Sequence, residues 1–128
     1  MLSPIETIKF LQSQPEQTFT SGNIIFREGE KGEIMYGVIE GTVEMSVNNK
    51  VVELIEKADI FGQGALVHED YLRASTAVAK TDCKLACLDR SRFLFAVQET
   101  PMFALEVMRS YSDRYRHLKQ LMDGLGDI

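Results

Sequence analysis

The chain is poor in the side chains that most catalytic chemistry needs. Its 128 residues include two histidines and two cysteines, and acidic residues outnumber basic ones 19 to 14, for a net charge of -5. His68 and His117 stand far apart. They cannot supply the clustered imidazoles of a cupin-type metal centre, and no set of nucleophile, base and metal ligands stands out, so no enzyme is expected. An acidic surface repels DNA and anionic membranes, so neither is an expected direct partner. It would also repel a phosphate ligand, so any such site must work through local donors. No run approaches the ~20 apolar residues of a membrane span. No basic stretch followed by an apolar one opens the chain, so no secretory leader is expected. Cys83 and Cys87 fall within one apparent strand, where four residues separate their Cα atoms by about 13 Å, too far for a bridge. They read as reduced, half-buried packing residues of a cytoplasmic protein. The sharper reading, a C-x-x-x-C metal pair, lacks a third and fourth ligand nearby.

What is present is the composition of a soluble globular protein, 45% hydrophobic and 26% charged. The length suits one domain over residues 1–128, too short for two. Ser3-Pro4-Ile5-Glu6 is a helix start, with Ser3 as cap, Pro4 at the first helical position and Glu6 completing a capping box. Ile5, Ile8 and Leu11 follow at helical spacing until Pro15, so residues 1–15 are assigned to an N-terminal helix. From 16 to 89 short apolar runs alternate with glycines. Ile24-Ile25-Phe26 suits a buried strand. Met35 to Ile39 suits another, with Gly37 marking a close backbone approach or a bulge. Val43, Met45 and Val47 alternate with polar residues, and Asn48-Asn49-Lys50 turns into Val51–Ile55 as a hairpin. Residues 74–81 and 83–88 make two more strands. Many short strands with frequent turns indicate a sandwich or barrel. Residues 90–124 return to helix. Asp89 caps a short one carrying Phe93, Leu94 and Val97, and Thr100-Pro101 starts a long one that Gly124 ends. The fold class is therefore mainly β with flanking helices.

Within the β region one pairing points to a ligand. The glycine-rich loop Phe61-Gly62-Gln63-Gly64-Ala65-Leu66 precedes Arg73, which opens the small-residue run Ala74-Ser75-Thr76-Ala77. Free backbone N–H groups followed by a fixed cation are the chemistry of a small phosphate site. Taken alone, Arg73 could be an ordinary surface arginine. Glu28 and Glu30 beside Gly29 are turn carboxylates, whose loop could hold Arg73 by an ion pair.

The run from Gly22 to Gly32, then Met35-Tyr36-Gly37-Val38-Ile39-Glu40-Gly41-Thr42-Val43, then the loop and Arg73-Ala74-Ser75-Thr76 resemble the cyclic nucleotide-binding domain. That family includes the bacterial catabolite activators and the regulatory subunits of cAMP-dependent kinase. The resemblance covers roughly residues 4–122. It implies an eight-stranded jelly-roll barrel with a phosphate-binding cassette at 61–76, a lid-like C-terminal helix and a cyclic nucleotide inside the barrel. By resemblance, the N–H groups near Gly64 and Ala65 receive the phosphate oxygens, Arg73 pairs with the same phosphate, and Ala74 offers its N–H. Gly62 and Gln63 lie against the ribose. Gln63 stands where the family usually has a glutamate, which implies an affinity lower by about tenfold. Ala58 replaces a usual glycine and Leu72 a usual proline. Ala74 lacks the hydroxyl some cGMP-selective members carry after the arginine, which favours cAMP. Strand alternation puts Ser75 on the Arg73 face, within reach of the ligand.

On the long helix, Ala104, Met108, Tyr111, Tyr115, Leu118 and Met122 are spaced as a heptad seam. One reading is a homodimer interface like that of the catabolite activators. The other is a face packed back on the barrel, although Phe103, Leu105 and Val107 lie off the seam and could do that packing. The catabolite activators carry a further winged helix-turn-helix to read DNA. No such segment is found through Ile128, so the output is expected to reach a separate, unidentified effector protein. The functional expectation is a stand-alone regulatory module that binds a cyclic nucleotide and signals through its C-terminal helix. The alternative is a degenerate, non-binding member serving as an interaction or dimerisation platform.

Overall fold

Apolar side chains at helical spacing form α1 (Pro4–Leu11), which buries Ile5 and Ile8 and stops four residues short of Pro15. The computed structural model describes residues 4–12 and 14–126, the last two through their backbone alone. The Ser3 cap therefore lies outside the described residues. Eight strands follow: β1 (Gln17–Phe19), β2 (Ile24–Phe26), β3 (Ile34–Glu40), β4 (Val43–Val47), β5 (Lys50–Ile55), β6 (Ile60–Phe61), β7 (Thr76–Ala79) and β8 (Cys83–Asp89). A single helical turn, α2 (Gly64–Val67), lies between β6 and β7, and α3 (Arg90–Glu99) and α4 (Pro101–Gly126) follow β8.

The strands form two four-stranded antiparallel sheets, ordered β1-β8-β3-β6 and β2-β7-β4-β5. Among the described residues no ladder joins the two: the eight expected strands form two facing sheets, the double-sheet arrangement of a jelly roll, without the closure of a barrel. They share one core, with Val38, Phe61 and Leu85 from the first sheet meeting Phe26, Val43 and Ala77 from the second. Cys83 and Cys87 both belong to that core, as free and fully buried thiols. The strands β3 and β8 are apolar almost throughout because both their faces are covered. Met35, Ala86 and Leu88 turn outward onto Ile8, Phe93 and Phe103 of the helices. A Cβ on Gly37 would overlap Ile5, so this glycine marks the close approach of α1 to β3.

Local chemistry explains most boundaries. Asn48 and Asn49 both take positive φ, at 51° and 65°, as a two-residue hairpin turn of the right twist requires. Asp89 caps α3 by accepting from the Arg92 N–H at 2.8 Å. Two of the boundaries that differ from expectation have a visible cause. β7 starts at Thr76 rather than at residue 74, because the backbone of Arg73 is engaged elsewhere: its N–H donates to Glu30 O and its carbonyl accepts from Gly29 N–H, both at 2.8 Å. And α4 passes through Gly124 to Gly126, a length of about 39 Å. A glycine ends a helix where a left-handed turn is anchored by later contacts; this helix is exposed through residue 124.

Candidate functional site

The wall of the site is aromatic. Phe26, Tyr36 and Phe61 stack in the core with ring centroids 5.2–6.3 Å apart. The guanidinium of Arg73 lies 4.0 Å above the Phe26 ring, and the residue is only 6% exposed. Its Nη1 donates to Gly62 O and its Nη2 to Ile34 O, each at 2.7 Å, while Nε has no partner. No ion pair holds it among the described residues. The expectation that the Glu28–Glu30 loop would do so is not met: Glu28 accepts from the Asn48 N–H at 3.3 Å, and Glu30 contributes its carbonyl to the Arg73 N–H. Burial pushes the Arg73 pKa down, opposed by Tyr36 and Glu30, yet an arginine stays charged. The result is a buried cation stacked on a ring and tethered by two carbonyls. The space around it is built for that side chain. A Cβ on Gly32 would overlap the guanidinium, and one on Gly62, whose φ is +83°, would come within 3.0 Å of Nη1.

Beside this cation is a cavity of about 300 Å³. Six of the seven expected site residues line it: Gly62, Gly64, Ala65, Arg73, Ala74 and Ser75. Gln63 does not. Its side chain is fully buried, and neither Oε1 nor Nε2 of its amide has a hydrogen-bond partner. The first N–H groups of α2 belong to Gly64 and Ala65 and have no intrahelical acceptor. Ser75 shares the cavity with Arg73, but from a bend rather than from a strand. Sequence reasoning missed Phe26, Met45, Glu53, His68 and Arg114, which also line the cavity. Only tertiary packing brings them there. Tyr111, assigned to the α4 seam, lines it as well.

The comparison with known families now decides the matter: residues 16–100 match the model described as "Cyclic nucleotide-binding domain". The chain belongs to the cyclic nucleotide-binding domain family. Among its relatives is the cAMP-dependent protein kinase regulatory subunit of Eremothecium gossypii, 37% identical over 83 residues, 65% of this chain and 18% of that protein. The Rap guanine nucleotide exchange factor 1 of Caenorhabditis elegans is 40% identical over 79 residues, 61% of this chain and 8% of that protein. The chain thus spans less than a fifth of either relative's length. A solved structure of cAMP-bound PfPKA-R (141-441) shares 30% identity with a TM-score of 0.70, over 84% of this chain and 36% of that one.

In this cyclic nucleotide-binding domain the long helix reaches the glycine loop through Tyr111. The Tyr111 hydroxyl reaches α2, where a Cβ on Gly64 would sit 3.2 Å from it, and burial pushes the Tyr111 pKa up. One turn on, Arg114 meets Glu53 of β5 at 2.9 Å and Asp59 at 3.6 Å. These are ion pairs by distance, with no hydrogen bond of good geometry from Arg114 Nε or Nη2. Ser110 donates to Asp59 at 3.2 Å. Burial raises the Glu53 pKa, Arg114 and His117 lower it, and Asp59 raises it. Phe103 and Val107 anchor the first half of α4 on the helical layer, as expected, but Leu105 is exposed rather than packed. The seam residues Met108, Tyr111, Tyr115, Leu118 and Met122 are all 40% exposed or more, so this face is not laid back on the sheets.

Proposed function

We propose that the chain is a regulatory module that binds a cyclic nucleotide beside Arg73 and relays the signal through α4 to a partner protein. The observation that carries this reading is a buried arginine without a carboxylate partner that lines a cavity of about 300 Å³. That volume lies at the lower end of small-molecule pockets, which run from about 300 to 1,000 Å³. A phosphodiester carries one negative charge. One guanidinium fork, the leading N–H groups of α2 and the Ala74 N–H match it without surplus. Gly62 and Gln63 would lie on the ribose side. The Gln63 amide is buried without a hydrogen-bond partner, and it would have to turn toward the cavity to meet a ribose hydroxyl. We favour cAMP over cGMP because Ala74 brings no hydroxyl to the base.

The relay needs two positions of α4 that ligand distinguishes. Tyr111 and Arg114 touch both the cavity and the helix, so they are where ligand would act. The exposed heptad seam then suits a homodimer formed through paired α4 helices. We place the module in the cytoplasm, where its two buried thiols stay reduced. No direct DNA or membrane contact enters this reading, and no helix among the described residues is long and apolar enough to cross a membrane.

The test is isothermal titration calorimetry with cAMP, cGMP and cyclic dinucleotides. Binding of cAMP, tighter than of cGMP and lost in Arg73→Ala, is the expected result. The unpaired Gln63 amide also favours a second reading, a scaffold that has lost its ligand. Absence of heat with every nucleotide would support that platform instead.

A further inference from the structure

Away from the nucleotide cavity, one sheet edge is left unused. β5 ends the order β2-β7-β4-β5 and pairs only with β4. Its other side presents a row of N–H and C=O groups with no strand beside it among the described residues. Between this edge and α4 runs a groove of about 660 Å³. Four consecutive residues, Val51 to Leu54, line it. Side chains alternate along a strand, so a groove that meets four in succession runs along the edge rather than over one face. Val51, Val52 and Leu54 are 54%, 39% and 43% exposed, and Leu121 on the α4 wall is 50% exposed. Natural edges are commonly guarded by lysine, proline or a covering segment; here only Lys50, at the start of the strand, carries a positive charge.

The charge of the groove is one-sided. Glu53, Glu56, Asp59 and Asp113 face a single guanidinium, Arg114, already engaged by two of them. The α4 residues that wall the groove, among them Ser110, Arg114 and His117, lie roughly a third of a turn around the helix from the Tyr111–Tyr115 seam. Pairing of two α4 seams would leave the groove open.

We propose that this groove docks an extended basic segment of a partner protein, added to β5 as a further strand of the second sheet. Main-chain hydrogen bonds to the open edge supply affinity, apolar residues cover Val52 and Leu54, and alternating lysines or arginines meet Glu56 and Asp113.

The test is fluorescence anisotropy with a labelled decapeptide of alternating valine and lysine, against its valine–glutamate counterpart. Amide hydrogen exchange is followed in parallel on the full chain. The lysine peptide should bind, the glutamate peptide should not, and the β5 amides should exchange more slowly in the complex. The double variant Glu56→Lys with Asp113→Lys should weaken binding about tenfold, roughly the loss of two charge contacts. The variant Glu40→Lys with Glu99→Lys makes the same change in net charge elsewhere on the surface and should leave affinity within about twofold. Equal loss in both double variants would reduce the effect to overall charge and overturn the proposal. So would protection confined to other elements, or no binding of the lysine peptide. Light scattering keeps a second copy of the chain in view. If Val52→Lys with Leu54→Lys converts a dimer to a monomer, the edge belongs to self-association and the proposal fails.

Discussion

At the residue scale, Arg73 is the most committed side chain in the molecule. Two carbonyls, a phenyl ring and the bare faces of Gly32 and Gly62 all shape themselves to it. Arg73→Ala should lower cAMP affinity about 100-fold or more, since it removes at least one charge-assisted contact worth about 1.5–3 kcal/mol and strands two carbonyls. Calorimetry reads the loss, and circular dichroism separates it from unfolding. Gln63→Glu should move affinity the other way, about tenfold, because a carboxylate accepts roughly twice as strongly as an amide. An unchanged affinity would show that this side chain stays turned away from the ligand. Ala58 tests local strain alone. It takes φ +74° at the position where the family usually has glycine, and the left-handed region costs an L-residue about 1–2 kcal/mol. The freer unfolded chain of a glycine variant offsets part of that gain. Ala58→Gly should therefore stabilise by about 0.5–1 kcal/mol, a rise of a few degrees in Tm by calorimetry.

At the scale of elements, α4 and β5 meet through very few groups. Below Val107 the helix is tied to the sheets by Tyr111 over α2, by Ser110 on Asp59 and by Arg114 between Glu53 and Asp59. Glu53 is the carboxyl among them whose pKa is shifted, and burial holds it above the ordinary carboxylate value. A raised carboxyl binds its proton more tightly in the folded state than in the unfolded one. Its contribution to stability is thus fully present below the unfolded value and is lost as pH rises through the folded one. Urea unfolding of the wild type, measured relative to Glu53→Gln, should show this decline across the acid window just above the usual carboxylate range. A difference independent of pH would mean that Glu53 titrates normally. The elements themselves were legible because their signals are local: the Asn48-Asn49 turn, the Asp89 cap, the alternation along β4. The start of β7 was not. Arg73 through Ser75 carry strand-like residues, but the Arg73 backbone is bonded to the Gly29–Glu30 turn, a partner more than forty positions away.

At the scale of the whole molecule, the question is whether α4 pairs with a second copy. Its seam residues are exposed, as are its last turns through residue 124. Tyr115→Glu with Met122→Glu places like charges along the paired helices. If the dimer forms, sedimentation velocity should show a dimeric wild type and a monomeric variant with an unchanged Tm. A monomeric wild type would remove self-association from the model and leave α4 available to an effector alone. The two-sheet architecture bears on this. With one face of the first sheet buried under α1, α3 and the start of α4, the helices cannot rearrange without disturbing Met35 and Leu88. The movement that the proposed relay requires would therefore fall to the free half of α4.

Periodicity and turn chemistry were enough to establish a mainly β chain with helices at its ends, and the resemblance carried by the glycine loop and arginine pointed to its family. These signals lie in short stretches and depend on backbone geometry that neighbouring residues impose. Three things depended on the folded chain: the order of the strands within its two sheets, that Gln63 is buried with its amide unpaired, and that Arg114 of α4 meets Glu53 of β5 beside the cavity. Each is a matter of which distant groups share one volume, and burial, with the electrostatics it governs, exists only after the chain has packed.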